Sequence, residues 1–207
     1  MRAASAPDTA SSVIAPAFFD IVRDEVFRLE TKRMWLRWPH HLDAATIASW
    51  GGLADVASMT ASWPVGITVD DVQKRIASAR AETARGAGMR LALTLKSAPT
   101  RAFGQIGVGA IGGGVGGVGY HLDPAFNGQG LMSEALERVI GIAGHLSTLT
   151  RLEAGVRLIN PASRRVLEKC GFVYTGQGIS TSPHRGEMPV DQFALTLPPR
   201  PRFALAA

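Results

Sequence analysis

Residues Gly104 to Asp123 read GQIGVGAIGGGVGGVGYHLD, and seven of the eleven residues from Gly107 to Gly117 are glycine. Glycine surrenders more backbone freedom than any other residue, so no helix runs through such a stretch. Its apolar residues alternate with small ones, which is the period of a strand. The run therefore predicts two strands joined by a hairpin turn near Gly112 to Gly114. A strand interior made of glycine packs nothing of its own. It marks a place where something else, if only another side chain, approaches the backbone. The same run contains GVGAIG, Gly107 to Gly112, a match to the G-x-G-x-x-G pattern of dinucleotide-binding folds. That fingerprint needs a helix opening at its last glycines and an acidic residue on a second strand about twenty residues on. Here GGVGGVGYHLD comes next, and then a helical pattern. NAD binding is rejected and the hairpin kept.

Around this hairpin the chain alternates strands and helices. RMWLRW, Arg33 to Trp38, reads as the first clear strand, and Asp43 as the cap of a helix running through Trp50. A second helix begins at Thr68 or Asp70, presents Val72, Ile76 and Ala79 on one face, and stops at Gly86. Arg90 to Lys96 is a strand and SAPTR a turn. LMSEALERVIGIAGHL has apolar residues at helical spacing on one side. Arg151 to Leu158 is a buried strand, followed by a helix with Asn160 as N-cap, Pro161 first inside and Gly171 just past the end. FVYTG and VDQFALTL read as two closing strands, joined by a polar loop containing His184 and Arg185. Residues 1–27 read as an N-terminal extension: 1–15 disordered, 16–28 a short helix or an extended arm. Residues 28–198 read as one domain and 199–207 as a proline-rich tail.

Composition narrows the classes. With 207 residues, 46% of them apolar, the chain can bury one sizeable core. No run of eighteen apolar residues appears, so no membrane span is expected, and the N-terminus lacks a secretory pattern. The net charge of +5 is scattered rather than blocked, so nucleic acid is not the expected partner. A small polyanionic ligand accounts for that charge equally well, as does chance. The single Cys170 excludes an internal disulfide framework and a metal cluster. It follows Lys169 at a helix C-terminus, where the dipole raises a thiol's pKa, so it reads as a structural thiol. A cytoplasmic protein without a metal site is expected.

A quieter run, NGQGLM, lies just past the second strand of the hairpin. Here strand, glycine loop and helix occur in order, so free N–H groups and the helix dipole converge on one spot. A plain helix entry through a glycine turn explains the same residues equally well.

GYHLDPAFNGQGLMSEAL resembles the acetyl-CoA signature of the GNAT N-acetyltransferase superfamily, in its RimJ/RimL-like branch. LETKRMWLR, FGQIG and NPASRRVLEKCGF are similar to that branch's opening strand, its "IG" strand and its N-x-x-S-x-x-V-x-E-K-x-G-F motif. The resemblance covers Leu29 to about Leu197. It implies an α/β fold with a mixed, mostly antiparallel sheet of about seven strands. The fourth and fifth strands would splay and helices would lie on both faces. It implies acetyl-CoA as cofactor. Asn127, Gly128, Gln129, Gly130, Leu131 and Met132 would wrap the pyrophosphate. The strand end His121 to Leu122 would bond the pantetheine arm, and Asn160 and Ser163 would contact its other side. Met132 stands where Gly or Ala is common in the superfamily, a change this branch tolerates.

The implied reaction is direct attack of an amine on the thioester, with the Leu122 N–H steadying the oxyanion. Ser163 is the candidate on the leaving-group side, with a helix-capping or backbone bond as its alternative. The tyrosine many relatives place four residues later is Leu167 here. The branch's usual glutamate position is Gly117, which leaves the base open among His121, Asp123, Glu134, Glu153, His184 and a water chain. Of these, His121 has the suitable chemistry. Asp123 reads as the cap of the turn before Pro124 and Glu134 as a dipole partner. Acceptor-side residues would come from the first two helices and from Ser180 to Pro189. Trp38, Trp50 and Trp63 either line that wall or fill the core. The implied acceptor is a protein or peptide N-terminus or a small amine. A homodimer is compatible with the branch, although no stretch specifies an interface. The alternative is a CoA-binding sensor or scaffold of the same fold that has lost transfer. A groove without titratable groups favours that module, and an acidic one with His121 or Glu153 at its bottom favours the enzyme.

Overall fold

The computed structural model describes residues 27–198. The expectations for residues 1–26 and 199–207 lie outside the described residues. Eight strands form one sheet in the order β1-β2-β3-β4-β5-β6-β8-β7. They are β1 Arg28–Glu30, β2 Met34–Arg37, β3 Gly88–Leu95, β4 Ala98–Gly112, β5 Val115–Leu122, β6 Arg151–Arg157, β7 Val173–Ser182 and β8 Gly186–Thr196. Every adjacent pair is antiparallel except β5 and β6. The strand β1, paired to β2, makes eight where about seven were expected, so the strands implied as fourth and fifth are β5 and β6 here.

The helices are α1 Ala44–Gly51, α2 Ala54–Ala57, α3 Val69–Ala84, α4 Leu131–Leu146 and α5 Pro161–Lys169. They divide the core in two. On one face α4 lays Leu131, Ala135, Leu136 and Val139 against Leu36, Leu91, Leu93 and Ile106, joined by Leu167 of α5. On the other, Ile47 and Trp50 of α1 pack with Val72 and Ile76 of α3 over the small Ala92 and Ala102. Small residues on that side of the sheet let the helices approach closely.

Local chemistry sets the ends of α3 and α5. Thr68 caps α3: its hydroxyl accepts from Asp71 N at 3.1 Å, and the Asp71 carboxylate accepts from Thr68 N at 3.2 Å. Asn160 Oδ1 accepts from Ser163 N at 3.0 Å to open α5, and Gly171 closes it at φ +86°. The hairpin turn falls at Gly112 to Gly114, all with positive φ.

Three local expectations change. Asp43 does not cap α1 with its side chain. Its buried carboxylate accepts two 2.7 Å bonds from Arg37 Nη1 and Nη2 and one from His40 N. A bidentate guanidinium holds a carboxylate more strongly than a capping N–H does. SAPTR is turn only at its start, because β4 begins at Ala98. The closing hairpin is longer than FVYTG and VDQFALTL suggest, with register from Val173↔Ala194 to Ser182↔Gly186.

Candidate functional site

The strands β5 and β6 pair only from Val115↔Arg151 to Gly117↔Glu153, and beyond Gly117 they part. A parallel pair held at one end and open at the other leaves a wedge, with the backbone edge of β5 unpaired along it. Asp123 N donates to Phe103 O at 2.8 Å, on the β4 side. N–H groups alternate along an extended strand, so the Leu122 N–H points the other way, into the wedge. That is the direction an oxyanion donor needs.

Two cavities meet at the wedge. The wider, about 560 Å³, lies between the strand end of β5, the loop before α4 and the start of α5. Leu122, Asn127, Gly128, Gly130, Leu131, Met132, Asn160 and Ser163, all expected from sequence, line it. Gln129 does not: its side chain donates back to Ala125 O at 3.1 Å, and its carbonyl accepts from Arg33 Nη1 at 2.9 Å. Gly130 is the N-cap of α4 at φ +72° and makes no side-chain cap bond. The first N–H groups of that helix therefore face the cavity without a side-chain acceptor. Gly128 has φ +74°, and a Cβ there would meet nothing within 4 Å. Arg165 and Lys169 of α5 stand on the facing wall.

The loop is tied down from outside the cavity. Glu134, in the first turn of α4, accepts from Arg33 N at 2.8 Å and from Arg33 Nε at 2.7 Å, while Arg33 holds Gln129 O. Desolvation pushes the Glu134 pKa up, and bonds from Thr31 and Arg33 together more than offset it, so the carboxyl titrates below its usual range. Glu134 serves as an anchor of the loop rather than as a base.

The second cavity, about 300 Å³, opens on the α1 and α3 side. Met59, Thr60, Tyr120, His121, Asn160 and Ser163 line both cavities, so the two join there. Tyr120 and His121 are neighbours in sequence but point to opposite faces. The Tyr120 hydroxyl lies 3.0 Å from Ser163 Oγ and 3.2 Å from Ser163 O. Burial raises its pKa, against a smaller lowering by the Ser163 bond, so it keeps its proton. Leu167 stands on α5 where many relatives place a tyrosine, and Tyr120 brings a phenol to Ser163 from the other wall. The sequence signal for it is the two-residue period: Tyr120 shares a face with Leu122, one of the expected cofactor residues.

His121 lies between two indoles, its ring centroid 5.2 Å from Trp50 and 4.4 Å from Trp63. The residue is half-buried, but its Nε2 is buried with no hydrogen-bond partner among the described residues. Burial first, then the charges of Arg90 and Arg75, push its pKa down to about 3. A group that titrates there holds no proton at neutral pH, which argues against His121 as the base. Of the three tryptophans, Trp50 and Trp63 flank this site, and Trp38 packs into the core on the α4 face.

The remaining candidates fall outside the junction. Asp123 caps the turn by accepting from Ala125 N at 3.0 Å. Glu153 sits at the closed end of the wedge with its carboxylate 2.9 Å from Arg151 Nε. His184 is exposed on the β7–β8 turn. The Cys170 thiol is half-buried, donates to Ser133 O at 3.6 Å and is pushed up to about 11 mainly by burial, so it stays protonated. Neighbouring Arg185 is put to use: it donates to the carbonyls of Ala57, Thr60 and Trp63, pinning the wall of the second cavity to the closing hairpin. Among the described residues no His, Cys, Asp and Glu cluster could hold a metal, and no helix is long and apolar enough to cross a membrane.

Known proteins share this fold. The family model for an acetyltransferase (GNAT) domain matches residues 33–173. A curated relative, Probable N-acetyltransferase YjcK of Bacillus subtilis (strain 168), is 53% identical over 55 residues. That match spans 27% of this chain and 30% of the relative. Mycobacterium smegmatis RimJ, solved in complex with CoA-disulfide, superposes with a TM-score of 0.70 at 21% identity, over 82% of this chain and 86% of that one. The ribosomal-protein-S5-alanine acetyltransferase of Vibrio fischeri does so with a TM-score of 0.69 at 19% identity, over 83% and 97%. With a sheet that splays beside a glycine loop and a family model that takes in β2 through the start of β7, the chain belongs to the GNAT acetyltransferase family.

Proposed function

We propose that this protein transfers an acetyl group from acetyl-CoA to the primary amine of a peptide or protein N-terminus or of a small molecule. The observation that carries this reading is the meeting of two cavities at Tyr120 and Ser163, beside the unpaired edge of β5. A scaffold that only held the cofactor would need the first cavity and not the second.

Acetyl-CoA, the cofactor of the family, supplies an activated thioester. The residues fit it. Uncapped N–H groups at the start of α4, glycines whose open side admits a phosphate, and Arg165 with Lys169 opposite suit its polyphosphate end. The free edge of β5 suits its amide-bearing arm. The Leu122 N–H stabilises negative charge on the carbonyl oxygen. The Tyr120 and Ser163 hydroxyls share a 3.0 Å hydrogen bond in which either can donate, so the pair would offer a proton to the departing thiolate and regain it from water. A thiol of pKa near 8.5 leaves readily, so this relay contributes modestly. Among the described residues, no carboxylate lines the acceptor cavity. The acceptor's proton therefore passes to water, and the amine enters neutral. A site without a strong base suits an N-terminal α-amine, whose pKa is already near neutrality.

The test is release of free thiol from acetyl-CoA, with and without alanine- or serine-initiated peptides and small primary amines. Amine-dependent release is expected, and Tyr120→Phe should lower kcat about tenfold while leaving acetyl-CoA affinity unchanged. A protein that binds acetyl-CoA but shows no amine-dependent release would sink the reading.

A further inference from the structure

The acceptor cavity carries charge that the transfer reaction does not use. Arg90 on β3, Gln105 on β4 and His121 on β5 rise from one face of the sheet. Gln105 pairs with Ala92 on one side and His121 on the other, and Arg90 stands two residues along from Ala92. Two strand spacings and two residues put the Arg90 Cα about 12 Å from that of His121. The floor between them is Gly107 paired with Gly119, two residues without side chains. A Cβ on Gly119 would meet nothing within 4 Å, so the floor is open above it.

At the far end of this floor the 300 Å³ cavity runs into a narrower one of about 160 Å³, and Ser62, Trp63, Arg90 and Gln105 line both. Arg90 makes no hydrogen bond or ion pair among the described residues. Arg75, from α3, lines the narrow part; its Nη2 donates to Ser62 O at 2.6 Å and its guanidinium lies 5.2 Å from the Trp63 ring centroid. Burial and then the charge of Arg90 lower the Arg75 pKa, with Asp71 opposing, so the two guanidinium groups feel one another. Gln105 is buried, yet its side chain makes no hydrogen bond among the described residues. The other arginine lining the cavity, Arg157, donates to Ser58 O, and Arg185 donates to carbonyls of the Ala57–Trp63 segment. The one carboxylate lining the narrow end is Glu82, which accepts from Ser78 Oγ at 3.3 Å. Arg90 is exposed and Arg75 half-buried, so two cations border a buried, unbonded amide at the mouth of a cavity, a set of donors that suits an anion.

We propose that this end of the cavity is a subsite for an anionic group of the acceptor, a carboxylate or a phosphate, held by Arg90 and Gln105 with Arg75 beside them. The preferred acceptor is thus an amine whose own negative charge lies about 10 Å away, the span of the glycine floor. The assignment of acceptor rests on the acetyl-transfer reading; the anion site itself does not.

Three peptide amides of sequence serine-alanine-X, with X asparagine, aspartate or phosphoserine, separate the two. Binding to the CoA-loaded protein is measured by titration, and thiol release from acetyl-CoA in parallel. The wild type should bind the two anionic peptides about tenfold tighter than the neutral one, as charge-assisted bonds allow. Arg90→Gln should erase that advantage while leaving the neutral peptide and CoA unaffected, and Arg90→Lys should restore part of it. Whichever of aspartate or phosphoserine binds tighter identifies the anion. Equal affinity for all three peptides, or a preference that survives in Arg90→Gln, would overturn the subsite. Preference in binding without thiol release would leave the subsite standing and remove the transfer reading. Release without preference would do the reverse.

Discussion

Gly113 and Gly130 have similar backbone angles, φ +58° and +72°, and neither would crowd a Cβ. One closes a hairpin and the other opens the helix α4. The difference lies in the element each one leads into. After Gly113 the chain turns back into β5 and pairs with β4, so its N–H groups serve the sheet. After Gly130 the chain enters α4, whose first N–H groups receive no side-chain acceptor. The denser glycine run matches the better-known fingerprint but forms the hairpin β4–β5. The sparser one has the strand-loop-helix order and lines the wider cavity. A third use appears between them: Gly107 and Gly119 are extended, and their missing side chains are the floor of the acceptor cavity. Glycine content by itself carries little information; the element on its C-terminal side carries most of it.

The largest effect is expected from Gly130→Glu. It puts an L-residue at a left-handed φ and a carboxylate where an anion should sit, so acetyl-CoA affinity should fall by about a hundredfold or more in titration calorimetry. Gly113→Ala is the matched control. It should cost about 1 kcal/mol in denaturant unfolding and leave acetyl-CoA affinity unchanged. Equal loss in both variants would mean the loop matters only for folding. Next comes Gly119→Leu, which fills the floor: kcat/KM for the amine should fall about tenfold, with acetyl-CoA affinity intact. Arg33→Ala ranks third. It frees Gln129 O and removes the side-chain half of the hold on Glu134, leaving the backbone bond from residue 33, without touching the cavity, and a loop that must order on binding should lose about threefold to tenfold in acetyl-CoA affinity. No change would show that the loop holds its shape unaided.

These variants fall on features of very different legibility. The bounds of α4 and the caps Asn160 and Gly171 are readable in the sequence because capping is settled within a few residues. So is the wedge, through the family resemblance. The extents of β7 and β8 are not, since a polar edge hairpin with half its side chains in water lacks a clear alternation. Asp43 reads as a cap because nothing in the local sequence says that its partner Arg37 outcompetes one. Tyr120 is hidden for a similar reason. Its position on β5 is plain, but its bond to Ser163 closes across 43 residues. Arg90 and Arg75 look like scattered surface charge until the fold puts them over one cavity.

The smallest effect tests how dry that cavity's wall is. Folded His121 holds a proton only near pH 3, whereas in the unfolded chain it titrates near 6.5. Between those values the unfolded state binds the extra proton, so stability should fall as pH drops through that window and be unaffected above it. In His121→Asn the slope of unfolding free energy against pH between 6.5 and 4 should flatten, whatever the variant's absolute stability. The remaining slope then belongs to carboxylates such as Asp71, held below its usual pKa by Thr68. An unchanged slope would mean that water reaches His121 Nε2 and keeps its titration ordinary. The floor between Gly119 and the glycine loop before α4 would then be wet along its length, and the base role that burial argues against for His121 would be open to it again.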